Sequence, residues 1–264
     1  MPFIKTSTLL AAFFCLFAVS TSMAADCTLI LDATTKKIVV NKGACTVRHS
    51  PASTFKIPLA VMGFDSGLLT DEHTPSIPYK PEYVAVLENH KHETDPTYWE
   101  KESVVWYSQE LTKKLGMRKF RNYVAQFSYG NQNLLGDKGK NNGLTHAWLG
   151  SSLQISPFEQ TLFLQKLLNK KLKVSDHAHA MTYAVIPTFS LDNGWTVHGK
   201  TGSASYKTKT GTQPFGWFIG WVDKDDKHYV FARYVEDKTP MDTPAGPRVR
   251  DSLLKDLPEL LAKR

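Results

Sequence analysis

A serine and a lysine three residues apart mark the part of the sequence that could do chemistry. The stretch HSPASTFKIPLAV, residues 49–61, places Ser53 three positions before Lys56 and follows the lysine with an almost unbroken apolar run. At this spacing on a helix the two side chains share a face. A lysine amine in apolar surroundings loses hydration free energy unless it is paired or gives up its proton. A neutral Lys56 could therefore accept the proton of the Ser53 hydroxyl and make it a nucleophile for acyl transfer.

A second motif, K-T-G, could bind an anionic substrate. Lys200 and Thr201 lie in HGKTGSA, residues 198–204, which continues a β-like run, so a strand edge could present both side chains. Each motif has a second copy in the chain. The S-x-x-K copy at 252–255 lies on a terminal amphipathic segment, and the K-T-G copy at 209–211 lies in a polar turn. This context favours the first copy of each motif as the functional one.

Around these motifs the sequence is strand-like at both ends and helical in the middle. Ser50 could cap a helix that begins at Pro51, because proline suits the first helical position. We predict an α/β fold, in which an antiparallel sheet built from both termini is flanked by helices and an all-helical lobe at about residues 60–185 is inserted. The predicted strands are a hairpin over 27–41 and the segments 194–206, 216–223 and 227–237. The predicted helices are 53–68, 100–115, 117–127, 157–170 and 249–264.

The first residues are typical of an export signal. Lys5 precedes the apolar run TLLAAFFCLFAVS, residues 8–20, which is too short to span a bilayer and is followed by small residues at Ser22 and Ala24. This pattern predicts a cleaved signal peptide over 1–24, a single domain over 25–264, no stable membrane anchor and a periplasmic location.

Composition and cysteine usage narrow the function further. The formal net charge of +7 is not gathered into a basic stripe with interleaved aromatic residues, so nucleic-acid binding is not expected. His177 and His179 form an H-x-H pair without the further ligands of a zinc site, so no metal is expected. In an exported chain Cys27 and Cys45 could form a disulfide or remain two free thiols.

An ordered series of motifs carries a family resemblance. PASTFKIP (51–58), Ser103-Val104-Val105, Tyr129-Gly130-Asn131, AWL (147–149), GKTG (199–202) and GWFIGWV (216–222) occur in the order seen in class D β-lactamases. The sequence resembles an oxacillinase-type enzyme of this class across essentially its whole mature length. The resemblance implies the serine β-lactamase and penicillin-binding transpeptidase type of fold. It also implies hydrolysis of β-lactam antibiotics through an acyl-enzyme.

The resemblance also implies roles for individual residues. Ser53 would be the nucleophile, and Lys56, carboxylated by carbon dioxide or bicarbonate, would be the general base. Trp148 would donate its indole N–H to the carbamate, and Val105 would form an apolar wall over the modified lysine. Ser103 would help to pass a proton to the leaving ring nitrogen. No other cofactor is implied.

The remaining implied roles concern substrate binding. Lys200, Thr201 and the backbone of Ser203 would hold the substrate carboxylate and complete an oxyanion hole with the N–H of Ser53. Arg248 matches the carboxylate-binding arginine best, and Arg250 is the alternative. The partner would be a small-molecule β-lactam, for either a monomer or a homodimer. Two other readings stay open, a penicillin-binding peptidase and a β-lactam sensor domain that is acylated without release.

Overall fold

The two ends of the chain build one six-stranded antiparallel sheet. The computed structural model describes residues 26–208 and 211–262, and the predicted signal peptide lies outside them. Along the sheet the strands are ordered β2-β1-β6-β5-β4-β3. Their bounds are β1 (Cys27–Asp32), β2 (Ile38–Gly43), β3 (Thr188–Ser190), β4 (Thr196–Thr208), β5 (Gly211–Lys224) and β6 (Lys227–Glu236). The predicted sheet of both termini is thereby confirmed.

Six helices lie between β2 and β3 along the chain, and a seventh ends it. Two 3₁₀ turns, Ala52–Phe55 and Glu88–His90, accompany them. The helices are α1 (Lys56–Asp65), α2 (Pro96–Glu102), α3 (Val105–Gln126), α4 (Gly143–His146), α5 (Pro157–Leu168), α6 (Asp176–Val185) and α7 (Ala245–Leu261). Among the described residues no helix is both long and apolar enough to cross a bilayer.

The sheet is covered on both faces, so its strands are buried between two cores. On one face α7 packs an apolar stripe at every fourth residue against the side chains of Phe218 and Phe231. On the other face Trp217 and Trp221 join the larger core, which is shared with the helical part of the chain. The Ser53–Lys56 motif lies on this second side of the sheet, where its neighbours Phe55 and Ile57 are part of the larger core.

Two local features differ from the sequence-based expectations, and a third agrees with them. The predicted cap at Ser50 is wrong, since the 3₁₀ turn that begins at Ala52 has no side-chain cap. Helix α6 was not predicted, although its Ser175 cap accepts a hydrogen bond from the N–H of Ala178. The predicted break between two helices near 116 is confirmed, because Gly116 has a φ of 77° inside α3. The cysteines of β1 and of the turn after β2 form the Cys27–Cys45 disulfide.

Candidate active site

The serine and lysine of the first motif meet where a 3₁₀ turn runs into a helix. Ser53 lies in the turn Ala52–Phe55, and Lys56 is the first residue of α1. The Lys56 Nζ donates to the Ser53 Oγ at 3.3 Å. The two residues therefore form the contact that their spacing predicts, although through a 3₁₀ turn rather than one continuous α-helix.

Lys56 is completely buried, which decides its protonation. Its exposed fraction is 0%. Burial holds the pKa of Lys56 well below its usual value, and the positive charge of Lys200 lowers it further, while Glu100 acts in the opposite direction. Burial therefore favours the neutral form of this amine, whose lone pair can take up a proton or react with an electrophile.

An aromatic wall surrounds the turn that carries the serine. The ring of Trp148 stacks on Phe55 with a centroid separation of 5.4 Å and meets Phe120 edge-on at 6.1 Å. Trp148 is fully buried, yet its indole Nε1 has no hydrogen-bond partner among the described residues. A buried N–H without an acceptor is costly and rare, so this donor is available to a group that the protein atoms alone do not supply.

Ser50 connects the loop that carries Trp148 to the turn that carries Ser53 through hydrogen bonds. Its hydroxyl donates to the Trp148 carbonyl at 2.9 Å and accepts from the N–H of Gly150 at 2.9 Å. Its own carbonyl accepts from the Trp217 indole of β5 at 2.9 Å. The serine that was expected to cap a helix instead joins the loop, the turn and the sheet.

A second hydroxyl–lysine pair faces the first across the site. Ser103 ends α2 in the left-handed conformation, with a φ of 62°. Its Oγ accepts a hydrogen bond from the Nζ of Lys200 at 3.0 Å. Lys200 is buried on β4, and burial lowers its pKa to about 8, while Glu100 opposes that shift. This pair can pass a proton between two neighbouring polar atoms.

The edge of β4 comes close to the nucleophile turn because of a glycine. Strand β3 pairs only with residues 196–198 of β4, and the rest of that edge lies against the 3₁₀ turn. A Cβ at Gly202 would lie 3.0 Å from the Pro51 carbonyl and 3.2 Å from the Thr54 nitrogen. The next residue, Ser203, accepts the N–H of Gly246 on its Oγ at 2.8 Å. The strand backbone is thus held beside Ser53.

The two candidate arginines on α7 have different partners. Arg248 forms an ion pair with Asp237 and donates its Nε to the Thr243 carbonyl at 3.1 Å. Arg250 donates to Asp251 and lies over the Phe189 ring at 5.5 Å. Of the two, it is the charge of Arg250 that lowers the pKa of Lys200.

The other predicted site residues lie on the same elements. Thr201 is half-buried on β4, and its carbonyl accepts a hydrogen bond from the Lys200 Nζ at 3.3 Å. Val105 is half-buried at the first position of α3, two residues after Ser103.

Sequence reasoning missed one residue, Glu100 of α2. Its carboxyl is completely buried, and neither oxygen has a hydrogen-bond partner among the described residues. Burial raises the pKa of Glu100 to about 7, and the positive charges of Lys200 and Lys56 oppose that rise. The segment WEKES reads as a solvated, charged stretch, so only the three-dimensional arrangement shows that one of its glutamates points inwards.

Several other polar residues of the sequence have structural roles. The Tyr129 hydroxyl donates to the Gln160 side chain in the core. Glu159 completes a capping box at the start of α5 and pairs with Arg48. Ser252, from the second S-x-x-K copy, accepts a hydrogen bond from Arg233 on the far face of the sheet.

A family comparison covers nearly the whole described chain. The family model for the penicillin binding protein transpeptidase domain matches residues 26–259. The sequence is 44% identical over 243 residues to the β-lactamase OXA-9 of Klebsiella pneumoniae, an alignment that covers 90% of this chain and 89% of the relative.

Comparison with solved structures shows similarity to two kinds of protein. The crystal structure of the OXA-427 class D β-lactamase superposes with a TM-score of 0.84 at 44% identity, covering 90% of this chain and 99% of that one. The C-terminal domain of the Bacillus licheniformis BlaR penicillin-receptor superposes with a TM-score of 0.75 at 25% identity, covering 89% and 90%.

Proposed function

Because the chain belongs to the class D β-lactamases, we propose that it hydrolyses β-lactam antibiotics through an acyl-enzyme on Ser53, with a carboxylated Lys56 as the general base. One observation carries the proposal. A fully buried lysine amine lies 3.3 Å from a serine hydroxyl, and the buried indole N–H of Trp148, whose ring stacks on the neighbouring Phe55, has no acceptor among the described residues.

The residues around Lys56 suit a carbamate on its amine. Carbon dioxide adds to an unprotonated amine, and burial keeps Lys56 in that form. A carbamate oxygen would accept the N–H of Trp148, which has no partner in the part of the chain that the structure describes. The buried positive charge of Lys200 would offset the new negative charge. The carbamate would supply a carboxylate-like base beside the serine.

In the acylation half of the reaction each polar group has a separate role. The Ser53 Oγ attacks the lactam carbonyl as its proton passes to the Lys56 side chain. The backbone N–H groups of Ser53 and Ser203 stabilise the negative charge that develops on the carbonyl oxygen. The Lys200–Ser103 hydrogen bond lies where it can deliver a proton to the ring nitrogen as the C–N bond breaks.

Substrate placement and water activation complete the cycle. Thr201, Lys200 and an arginine of α7, Arg248 as the first candidate, bind the substrate carboxylate. Val105 keeps the surroundings of Lys56 apolar. The Lys56 side chain then takes a proton from a water that attacks the ester on Ser53, and the product leaves.

A cellular location follows from the N-terminal pattern. We propose that residues 1–24 direct export to the periplasm and are removed. The apolar run and the small residues at Ser22 and Ala24 support this location.

Steady-state hydrolysis of one penicillin and one carbapenem, with and without added bicarbonate, tests the proposal. We expect repeated turnover that increases when bicarbonate is added to degassed enzyme, because decarboxylated Lys56 regains carbon dioxide. Stable stoichiometric acylation with no turnover in bicarbonate would reject the proposal. That outcome would favour a sensor-like activity, which the similarity to the BlaR penicillin-receptor domain makes the second candidate.

Trp148→Phe is expected to weaken the base without removing it. The ring keeps its stacking on Phe55, but the indole N–H is lost, so one hydrogen bond to a charged acceptor disappears. Such a bond is worth about 1.5–3 kcal/mol, which corresponds to a loss of roughly 10- to 100-fold in carbamate affinity. The bicarbonate concentration that gives half-maximal kcat should increase by that factor. Trp195→Phe, on the far face of the sheet, is the control and should leave it unchanged.

A further inference from the structure

Glu100 is a buried carboxylic acid near the site that the reaction above does not use. It lies on α2, three residues before Ser103, which accepts the hydrogen bond from Lys200. Its exposed fraction is 0%, and both carboxyl oxygens lack hydrogen-bond partners among the described residues. A buried carboxylate in that condition is costly to keep charged, so its presence beside two buried lysines calls for an explanation.

Charge accounting at Lys56 suggests what the carboxyl does. When a neutral amine adds carbon dioxide, an N–C bond forms, one N–H bond breaks, and a proton must leave the nitrogen. The product carries a new negative charge. If the proton went to bulk water, the buried site would hold two negative charges, on Lys56 and on Glu100, against one positive charge on Lys200. If Glu100 bound the proton, one negative charge would face one positive charge before and after the step.

We propose that Glu100 accepts the proton released when Lys56 is carboxylated, so that the buried charge of the site stays constant. This inference depends on the proposed function, because it assigns the proton of the same carboxylation step. The Lys56 amine gains the carboxylate, and the Glu100 carboxylate becomes the neutral acid, with the proton carried through intervening water, because no side chain donates directly to Glu100 among the described residues. Glu100 does not contact the substrate in this mechanism. It acts through Lys56, by accepting the proton of its amine, so it is a positioning residue rather than a catalytic one.

The charges that act on this cluster are few. Lys56 of α1 and Lys200 of β4 favour the ionised form of Glu100. His90, in the 3₁₀ turn before α2, donates its Nε2 to the Glu102 carbonyl, and burial lowers its pKa, so it stays neutral near pH 7. The half-exposed Glu102 of the same helix and Arg250 of α7 act on the cluster through Lys200.

The elements packed on α2 present their other titratable groups elsewhere. On α6, which packs against α2, His179 contacts the Leu167 and Leu172 carbonyls. On α3, Tyr107 donates to the Pro75 carbonyl. Burial raises the pKa of Glu100 to about 7, so this carboxyl titrates in the pH range in which the enzyme would work.

The proposal predicts a specific pH dependence of carboxylation. Above pH 7 the free protein holds Glu100 ionised, and the proton from Lys56 stays within the site. At a fixed concentration of dissolved carbon dioxide the carboxylation constant should then change little with pH. A site without this acceptor releases one proton to solvent, so its constant should rise about tenfold for each pH unit. Below pH 7 Glu100 is already protonated, and both proteins should show the tenfold dependence.

The experiment is ¹³C NMR of the carbamate signal in the full chain, at fixed dissolved ¹³CO₂, from pH 6 to 8, a range in which Lys200 keeps half or more of its charge. The wild-type constant should be nearly flat from pH 7 to 8, whereas Glu100→Gln should follow the tenfold slope throughout. Glu100→Leu provides a second variant that removes the titrating group. Both are expected to fold, since each removes a buried charge, and circular dichroism checks this. Glu110→Gln removes a carboxylate that pairs with Lys113 on α3 and should keep the wild-type profile.

The outcomes separate this inference from the function on which it rests. A carbamate signal with the same slope in wild type and in both Glu100 variants would overturn the proton-acceptor role and leave the carboxylated base intact. A wild-type protein that hydrolyses β-lactams without any carbamate signal would overturn the carboxylated base itself.

Discussion

A Lys56→Ala protein is expected to form an acyl-enzyme with a penicillin and then to stall. Removal of the side chain takes away the only base within hydrogen-bonding distance of Ser53 Oγ among the described side chains. General-base catalysis typically contributes 10²- to 10⁴-fold, and here both halves of the reaction depend on it. We expect kcat to fall by about 10³-fold or more. Intact-protein mass spectrometry should show the adduct persisting for hours.

The chain contains its own control for this substitution. Lys255 occupies the same position in the second S-x-x-K sequence, on the exposed face of α7. Lys255→Ala should leave kcat and the lifetime of the acyl-enzyme unchanged. A Lys56→Ala protein that turned over within tenfold of the wild-type rate would contradict the role of this lysine. The lost rate should also fail to return with bicarbonate, in contrast to the Trp148→Phe protein.

A Ser53→Ala protein should bind the antibiotic but never become acylated. Loss of a serine nucleophile leaves only the stabilisation provided by the remaining site, and in serine hydrolases such losses reach on the order of 10⁶-fold in kcat. We therefore expect hydrolysis at the limit of detection. Mass spectrometry should show no added mass, and equilibrium binding of the penicillin should persist, because the Lys200 and Thr201 side chains remain in place.

The second copy of the motif again supplies the comparison. Ser252 accepts a hydrogen bond from Arg233 and lies on the far face of the sheet, so Ser252→Ala should cost some stability and no activity. An adduct on Ser53→Ala, located by peptide mapping to another serine, would show that the nucleophile had been assigned to the wrong residue.

Short-range patterns predicted the parts of the site that depend on residue type and order. The Ser53–Lys56 spacing, the strand that carries Lys200 and the break near Gly116 all leave local signals. Helix α6 was not predicted, although Ser175 precedes it as an N-cap residue. The inward position of Glu100 depends on how α2 packs against distant segments. The role of Ser50 depends on a contact with residues about 100 positions away. Neither can be derived from local sequence.

The three buried ionisable groups also bear on how the protein withstands heat. Folding lowers the pKa of Lys56 and Lys200 and raises that of Glu100. Burial thus disfavours the charged form that each of these groups adopts in water at neutral pH. At Glu100 the folded chain binds more protons than the unfolded one between about pH 4.5 and 7. At Lys200 it binds fewer protons between about pH 8 and 10.5, and the lowered pKa of Lys56 acts in the same direction. Stability therefore falls with rising pH in the first window and rises in the second.

Carboxylation of Lys56, as proposed above, would favour the native chain, because burial there favours the neutral amine with which carbon dioxide reacts. A reactant that combines with the native state alone stabilises that state by mass action. Carbon dioxide would then supply the general base and also stabilise the folded enzyme. The thermal stability of the enzyme would therefore depend on the carbonate content of the surrounding medium.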